Sequence, residues 1–506
     1  MSRSRPNILL IVSDQQRPDL VGALGRVAVQ TPALDRLCRE GAVFTRAYTP
    51  CPLCTPARAS MITGQYPSRH GAWSIGVDTP DDALSVAALL REQAGYRTAL
   101  IGKSHFKSCL REGSFEALPR SRDWDVFAGW DGPWFGFEAA RINVGHVNET
   151  HAYSLHYGLW LRERGVDPDR YFDLDWSKGT GLREGRWDLP AELHVNTWTA
   201  DQAIAQLRTA GERPFFLSVN FPDPHSPFLV PAPWDTLHDD APLPPPIRRE
   251  GEREGNSALY QATLDNTIGT LCDSPAVRPA TQYPSAATSA ARTPSEERKW
   301  KIYMGMTSFM DQQIGRILDA LDELGLADDT LVVFTSDHGD MMGDHWLNSK
   351  GASHYDGSTR VPFIVRQPGV VPAGERSASL QCLVDLAPTF LKTAGLPVHP
   401  AMQGVDQSAT WARPDHASRA GVLVETRLSP TCQSNSWITP YFRLSTYDYP
   451  GGSSDCELFD LTNDPDEFDN IADTAFRDPE TRQLRNTLAT LAPAITQSVA
   501  PRLTFA

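Results

Sequence analysis

The sequence predicts an α/β protein: a large domain on a mixed, mostly parallel central sheet flanked by helices, followed by a smaller C-terminal α+β domain. Three observations carry that expectation. Short apolar runs of strand length alternate with segments of helical periodicity, the pattern of strand–helix–strand units. Four of the apolar runs hand over directly to polar residues of catalytic type. Beyond about residue 400 the alternation stops, and closely spaced short strands with one last helix take over.

In chain order, residues 7–13 (NILLIVS) are a buried-strand run closed by Asp14. Residues 96–101 (YRTALI) are a second, followed by Gly102, Lys103, Ser104 and His105. Residues 214–221 (PFFLSVNF) lead into Pro222, Asp223, Pro224 and His225. The proline-rich residues 231–246 read as a loop that can wall a substrate site, and residues 273–292, rich in Pro, Ala, Ser and Thr, as a surface insertion without its own core. Thr293 and Glu296 then make a capping box with Pro294 at the first helical position. Tyr303, Met306, Met310, Ile314, Ile317, Leu321 and Leu324 follow at helical spacing. This helix feeds the strand run 331–335 (LVVFT), which ends in Ser336, Asp337, His338 and Gly339. In the last part, residues 421–425 (GVLVE) and 441–445 (YFRLS) read as strands and residues 479–491 as a helix, so the expected domains are 1–400 and 401–506. Ligands of open α/β sheets bind at the carboxyl ends of the strands, where the four polar clusters can converge in one crevice. Taken singly, each cluster is as well explained by solvated turn residues.

Composition excludes several functions. At 506 residues and 41% hydrophobic content, the chain can bury a full core and form more than one domain. A formal charge of −15 argues against a general nucleic-acid or membrane-surface binder, so any anion must be met by a local positive cluster. No stretch is long enough to span a bilayer, and the apolar run at residues 8–12 is too short for a signal peptide's hydrophobic region. The expectation is a cytoplasmic protein with no nucleic-acid or membrane partner, whose eight cysteines are thiols. Oligomeric state is left open, a homo-oligomer included.

The segment CPLCTPARASMITG, residues 51–64, holds the only CxxC spacing. As a redox pair, Cys51 and Cys54 belong at the strand–helix junction of a thioredoxin-like unit. As zinc ligands they need a second pair that the other six cysteines do not supply. A third reading uses Cys54 alone. Residues 54–64 (CTPARASMITG) resemble the C-x-P-x-R segment of the formylglycine-dependent sulfatases, type I sulfatases of the alkaline phosphatase superfamily. In that family a formylglycine-generating maturation enzyme converts the cysteine to an aldehyde. The resemblance extends over most of the chain: NILLIVSDQQRPDLVG, TPALDRLCREGAVFTRAY, IGKSHF, DPHSPF, TSDHGDMMGDH, the Lys350 segment and ELFDLTNDPDE are similar to sulfatase segments, in sulfatase order.

The resemblance implies a hydrolase of sulfate monoesters, arylsulfatase-like, whose nucleophile is the hydrated aldehyde (3-oxoalanine) at Cys54. One hydroxyl attacks sulfur while a divalent metal lowers its pKa; the other then expels sulfate as the aldehyde re-forms. It also implies metal ligands Asp14, Gln15, Cys54, Asp337 and His338, a hard set suited to calcium, manganese or magnesium. Many members carry an acidic residue at the Gln15 position and asparagine at the His338 position; the differences here favour manganese. By the same resemblance Arg58 holds the nucleophile, Lys103 and His105 contact it and the sulfate oxygens, His225 binds the ester and protonates the leaving oxygen, and Lys350 meets the bridging oxygen. A related branch, the phosphonate monoester and phosphodiester hydrolases, shares the Asp-Gln and Asp-His metal set but tends to carry hydroxyl-bearing residues at the Lys103 and His105 positions. Outside hydrolases, the alternatives are a metal-dependent anion-binding protein or a CxxC dithiol protein. The aromatic run GWDGPWFGFE, residues 129–138, with His146, His151 and His156, is either the wall of an apolar leaving-group pocket, favouring an aryl or small alkyl sulfate, or the packing of a long excursion between strands.

Overall fold

The computed structural model describes residues 5–109, 111–145, 150–174, 183–209, 211–272, 282–475 and 478–491. Its centre is an eight-stranded sheet in the order Glu375–Ser377, Ala42–Phe44, Phe363–Arg366, Thr330–Ser336, Asn7–Ser13, Phe215–Asn220, Arg97–Lys103 and Ala139–Asn143. All neighbours pair in parallel except Phe363–Arg366, which is antiparallel to both strands beside it. The sheet is thus mixed and mostly parallel.

Side-chain alternation along Asn7–Ser13 divides the core. Leu9 and Ile11 face one side, where they meet the helices Pro32–Glu40, Val195–Arg208 and Pro294–Glu323 through Leu34, Leu37, Ala203, Leu207, Met310, Ile314 and Ile317. Ile8, Leu10 and Val12 face the other side, against Met61, Ile62, Val86, Leu90 and Phe390 of the helices Cys54–Thr63, Val86–Ala94 and Leu386–Thr393. With both faces covered, the strand is apolar throughout rather than alternating. The expected capping box is present: Thr293 accepts from the Glu296 amide, and the Glu296 carboxylate accepts from that of Thr293.

Several elements differ from expectation. The strand expected over residues 96–101 runs on to Lys103, which stays in register with Asn143, so Lys103 is a strand residue and not a turn residue. Gly102 permits this: its φ is 93°, and a Cβ there would lie 2.1 Å from the Asn220 carbonyl oxygen. The insertion expected over residues 273–292 is not wholly without structure, because Gln282–Pro284 pairs with Leu347–Ser349 and Gln282 is buried; residues 273–281 lie outside the described residues. The four-stranded antiparallel sheet Val422–Ser429, Cys432–Ile438, Phe442–Asp448, Ser454–Asp460 has longer strands than the short apolar runs suggested, since it carries buried polar residues such as Ser434, Asn435 and Ser436. Val424, Ile438 and Leu458 share a core with Tyr48, Met341, Tyr355 and Val384, so this sheet is packed onto the larger one's domain. No helix among the described residues is long and apolar enough to cross a membrane.

The long helix is anchored by cap and core together. Ile314→Ala, at a fully buried position, is expected to cost about 2–5 kcal/mol, and Thr293→Ala about 1 kcal/mol through loss of the cap. Urea unfolding should show both as a lower midpoint at unchanged slope.

Candidate active site

Parallel pairing aligns the carboxyl ends of the strands. Ser13 is in register with Ser336, and both Val12 and Gly102 with Asn220, so Asp14, Asp337, Lys103 and the turn holding His225 emerge at one edge. The helix Cys54–Thr63 starts at the same edge, with Cys54 as its first residue and Arg58 one turn on, on the same face.

Asp14 and Asp337 are fully buried side by side, and the Arg58 guanidinium binds both: Nε lies 2.9 Å from Asp337 Oδ2, and Nη2 lies 3.1 Å from Asp14 Oδ2. Lys103 Nζ lies 2.5 Å from the same Asp14 oxygen. Burial alone would raise the Asp14 carboxyl, and the Cys54 charge adds to that; Lys103, His225 and Arg58 outweigh both and hold it below the ordinary carboxylate range. Asp337 is pushed the other way, upward, by burial and by the Asp14 charge.

Cys54 Sγ sits among Lys350 Nζ at 3.1 Å, His338 Nε2 at 3.2 Å and Asp14 Oδ1 at 3.8 Å. Burial disfavours its thiolate, but Lys350, Lys103 and His338 win and hold the thiol well below its usual pKa. Cys51 is different. It packs with Leu53 and Ile75, its sulfur lies 3.8 Å from Thr426 Oγ1, and burial pushes its thiol up. The two are free thiols in unlike surroundings, with their pKa values pushed in opposite directions.

Asp14, Cys54, Asp337 and His338 each present a donor atom, all within 4.8 Å of one another. His338 Nδ1 lies 2.9 Å from the Gly339 carbonyl, which can only accept, so Nδ1 carries a proton and Nε2 faces the cluster; against burial, the Asp337 charge raises the pKa of the ring. Gln15, in a left-handed conformation with φ 63°, adds its amide oxygen. Lys350 Nζ lies 2.9 Å from that oxygen, 3.0 Å from His338 Nε2 and 2.7 Å from His225 Nε2. The Lys350 ammonium thus meets the amide and imidazole donors while Arg58 and Lys103 meet the two carboxylates, and the carboxylate, amide and imidazole donors fit a divalent cation. His225 Nδ1 faces the Ser226 carbonyl at 2.6 Å, and burial and the Lys350 charge lower the pKa of its ring. His105, also left-handed at φ 56°, lies beside Cys54, and burial keeps it neutral. Every residue expected at the site is at this edge.

With the geometry in place, comparison with known proteins decides the family. A family model described as Sulfatase matches residues 6–396. The chain belongs to the sulfatase family. A second model, N-sulphoglucosamine sulphohydrolase, C-terminal, matches residues 343–494 of this sulfatase. It is 27% identical to an arylsulfatase of Clostridium perfringens, over 92% of this chain and 90% of that one. It is 29% identical to the multifunctional alkaline phosphatase superfamily protein PehA of Trinickia caryophylli, over 93% and 91%. Among solved structures, the phosphonate monoester hydrolase of Agrobacterium radiobacter superposes with a TM-score of 0.72 at 26% identity, covering 96% of this chain and 95% of that one. Membership makes the protein a sulfate ester hydrolase of the alkaline phosphatase superfamily.

Three residues of this sulfatase's site escaped the sequence reading. Asp340 lies two positions past His338, inside the segment TSDHGDMMGDH; its Oδ2 accepts from Gln15 Nε2 at 2.5 Å and its Oδ1 from the Met342 and Ser349 amides, both at 2.8 Å. Asn220, the last residue of its strand, donates to the Lys103 carbonyl at 3.0 Å. Tyr303 donates to the Gln15 carbonyl, and nothing in a helix-spaced tyrosine signals that. The aromatic run is mainly packing: Phe137 is buried, and Trp130 stacks on His156 and meets Phe115 and Phe127. Trp134 is the exception, its indole donating to Ser104 Oγ at 2.7 Å between Lys103 and His105. His146 lies outside the described residues.

Asp340 sets which end of the Gln15 amide faces the cluster. Asp340→Asn offers an NH2 to Gln15 and is expected to flip that amide, turning its own NH2 toward the metal donors. Calorimetric titration of the purified protein with a divalent cation should show affinity lowered about 10–100-fold.

Proposed function

We propose that this protein hydrolyses sulfate monoesters, aryl or small alkyl, with a formylglycine made from Cys54 as nucleophile and a divalent metal, manganese or calcium before magnesium, held by Asp14, Gln15, Asp337, His338 and the modified residue 54. The observation that carries the reading is the place of Cys54 at a helix start, with Lys350 Nζ 3.1 Å and His338 Nε2 3.2 Å from its sulfur and with Lys350 and Lys103 holding its thiol pKa down. When present, the metal ion and the aldehyde hydrate supply a polarised sulfate and an acidic hydroxyl.

The protein's own groups do the rest. Arg58 binds Asp14 and Asp337 and holds their carboxylates beside each other as metal donors. Lys103 and His105 meet the non-bridging sulfate oxygens, where charge is already dense. Lys350, 2.7 Å from His225 Nε2, faces the bridging oxygen as charge develops there, and His225 binds the ester and protonates the leaving oxygen. Arg58, Lys103 and Lys350 balance the carboxylates of Asp14, Asp337 and Asp340, so a bound dication would leave the cavity positive, which suits an anionic ester. Trp134, anchored by Ser104, supports an apolar leaving group beside them. Its partners would be the ester and a formylglycine-generating enzyme. We place the catalytic unit over residues 1–400 and the smaller unit over 401–506, although Met402 and Trp411 still pack into the large core.

The second reading, a phosphonate monoester or phosphodiester hydrolase, is favoured by the names of the Trinickia and Agrobacterium proteins. Lys103 and His105 favour sulfate. An aryl sulfate should therefore be cleaved with a higher kcat/KM than the matching aryl phosphonate; the reverse order would put the phosphonate reading first. Protein produced with a formylglycine-generating enzyme should carry an aldehyde at Cys54 in the tryptic peptide 47–58, seen by mass spectrometry. Cys54→Ala should lower turnover at least about 10³-fold, and Cys51→Ser should leave it unchanged. Two unmodified thiols in that peptide, despite a competent maturation enzyme, would overturn the mechanism.

A further inference from the structure

Away from the active edge, Cys272 and Cys432 bring their sulfur atoms to 2.7 Å, although 160 positions separate them in the chain. Cys272 ends the short helix Ile268–Leu271, and Cys432 opens the strand Cys432–Ile438 of the C-terminal sheet. Both are buried, at 0% and 1% exposure. Around them are Leu259, Ile268, Leu428, Tyr447 and Tyr449, with Ala352 from the segment that carries Lys350. Two thiols at that separation are well inside the van der Waals contact of two sulfur atoms, and a bond of about 2.05 Å requires a movement of less than an ångström.

We propose that Cys272 and Cys432 are a covalent modification site, a disulfide that fastens the helices Ala258–Leu264 and Ile268–Leu271 to the C-terminal sheet. A metal site is the other use of paired thiols. Among the described residues, only Asp14, Cys54, Asp337 and His338 gather three or more such ligands, and the surroundings of this pair are apolar. The reaction is a thiol–disulfide exchange. A low-molecular-weight disulfide such as oxidised glutathione takes the two electrons and two protons of the pair; it becomes two thiols as one S–S bond forms here through a mixed disulfide. The adjoining Cys272 sulfur and burial raise the Cys432 thiol far above its usual range, so in the folded protein Cys432 offers little thiolate, and both sulfurs are shut away from solvent. The exchange therefore proceeds while the sheet edge is still open. In a cytoplasm kept reduced by glutathione the pair stays as two thiols, and its state follows the redox poise of its compartment.

The position gives the bond a structural consequence. The strand Gln282–Pro284 pairs with Leu347–Ser349, and Gln282 Oε1 accepts from the Ser353 amide at 3.2 Å, so the segment that follows the fastened helices brackets Lys350 on both sides. A bond closing so long a loop restricts the unfolded chain strongly.

The test is refolding of the full chain in a mixture of oxidised and reduced glutathione, then alkylation under denaturing conditions without reduction and tryptic mapping. The expected product is peptide 254–292 joined to peptide 428–443, lighter by two hydrogens than the sum and split by a reductant. Folded, oxidised protein should lose about 5 °C or more of Tm on reduction, and Cys432→Ser should have a Tm indifferent to reductant. Both cysteines alkylated after oxidative refolding, or either joined to a different cysteine, would overturn the site; a linked peptide with no change in Tm would overturn its fastening role. The mapping needs only the wild-type chain, so a variant that fails to fold leaves the outcome decided.

Discussion

Two carboxylates brought out of water at adjacent strand ends are the constraint around which the rest of this structure is arranged. Parallel pairing of Asn7–Ser13 with Thr330–Ser336 forces Asp14 and Asp337 together, at zero exposure, where each raises the cost of ionising the other. Arg58 resolves the conflict because a planar guanidinium can bind both at once. Removing one partner of such a buried cluster costs about 3–5 kcal/mol, since the remaining charges are left unpaired. The helix that starts at Cys54 is therefore tied to the sheet edge by charge, and the nucleophile position is set by the same contact.

Around this knot the site is rigid where charge must be organised in advance and open where the ester must enter. Gln15 and His105 hold left-handed backbones that ordinary side chains avoid, and the Gln15 amide donates to Asp337 Oδ1 at 3.1 Å. Asp340 orients the Gln15 amide and, through the Ser349 amide, the segment leading to Lys350. His225 is only partly buried, while Asp14, Lys103, Asp337 and His338 are fully so, which puts the His225 side of the site toward solvent. Such preorganised charge, held in place before the ester arrives, is the largest single source of catalysis in sites of this kind.

The C-terminal sheet supports the site from behind. His354, four residues past Lys350, is buried and held neutral, its pKa lowered to about 3 by burial and by Arg443. Its two ring nitrogens reach Ser436 Oγ at 2.7 Å and Thr426 Oγ1 at 2.9 Å on neighbouring strands of that sheet. Thr426 also lies against the Cys51 sulfur. The Lys350 segment and the loop before Cys54 thus rest on the same two strands, and the smaller sheet acts as part of the scaffold that places the catalytic groups.

Local chemistry made much of this legible in the sequence. Apolar runs such as NILLIVS and LVVFT are strands because they are buried on both faces, and the Thr293 capping box marks a helix start from four residues alone. The polar residues that end those strands, Asp14, Asp337 and His338, were readable as site candidates for the same reason. The sequence did not tell Cys51 from Cys54 by composition; only the motif with Pro56 and Arg58 did, and the fold supplied the cause by setting one thiol against Thr426 and the other among Lys350, Lys103 and His338. Strands such as Ala139–Asn143 and Phe363–Arg366 and contacts such as Asp340 to Gln15 were decided by tertiary structure alone. Periodicity and caps depend on neighbours a few residues away, whereas a hydrogen bond between residues 325 positions apart depends on how the strands are ordered in the sheet.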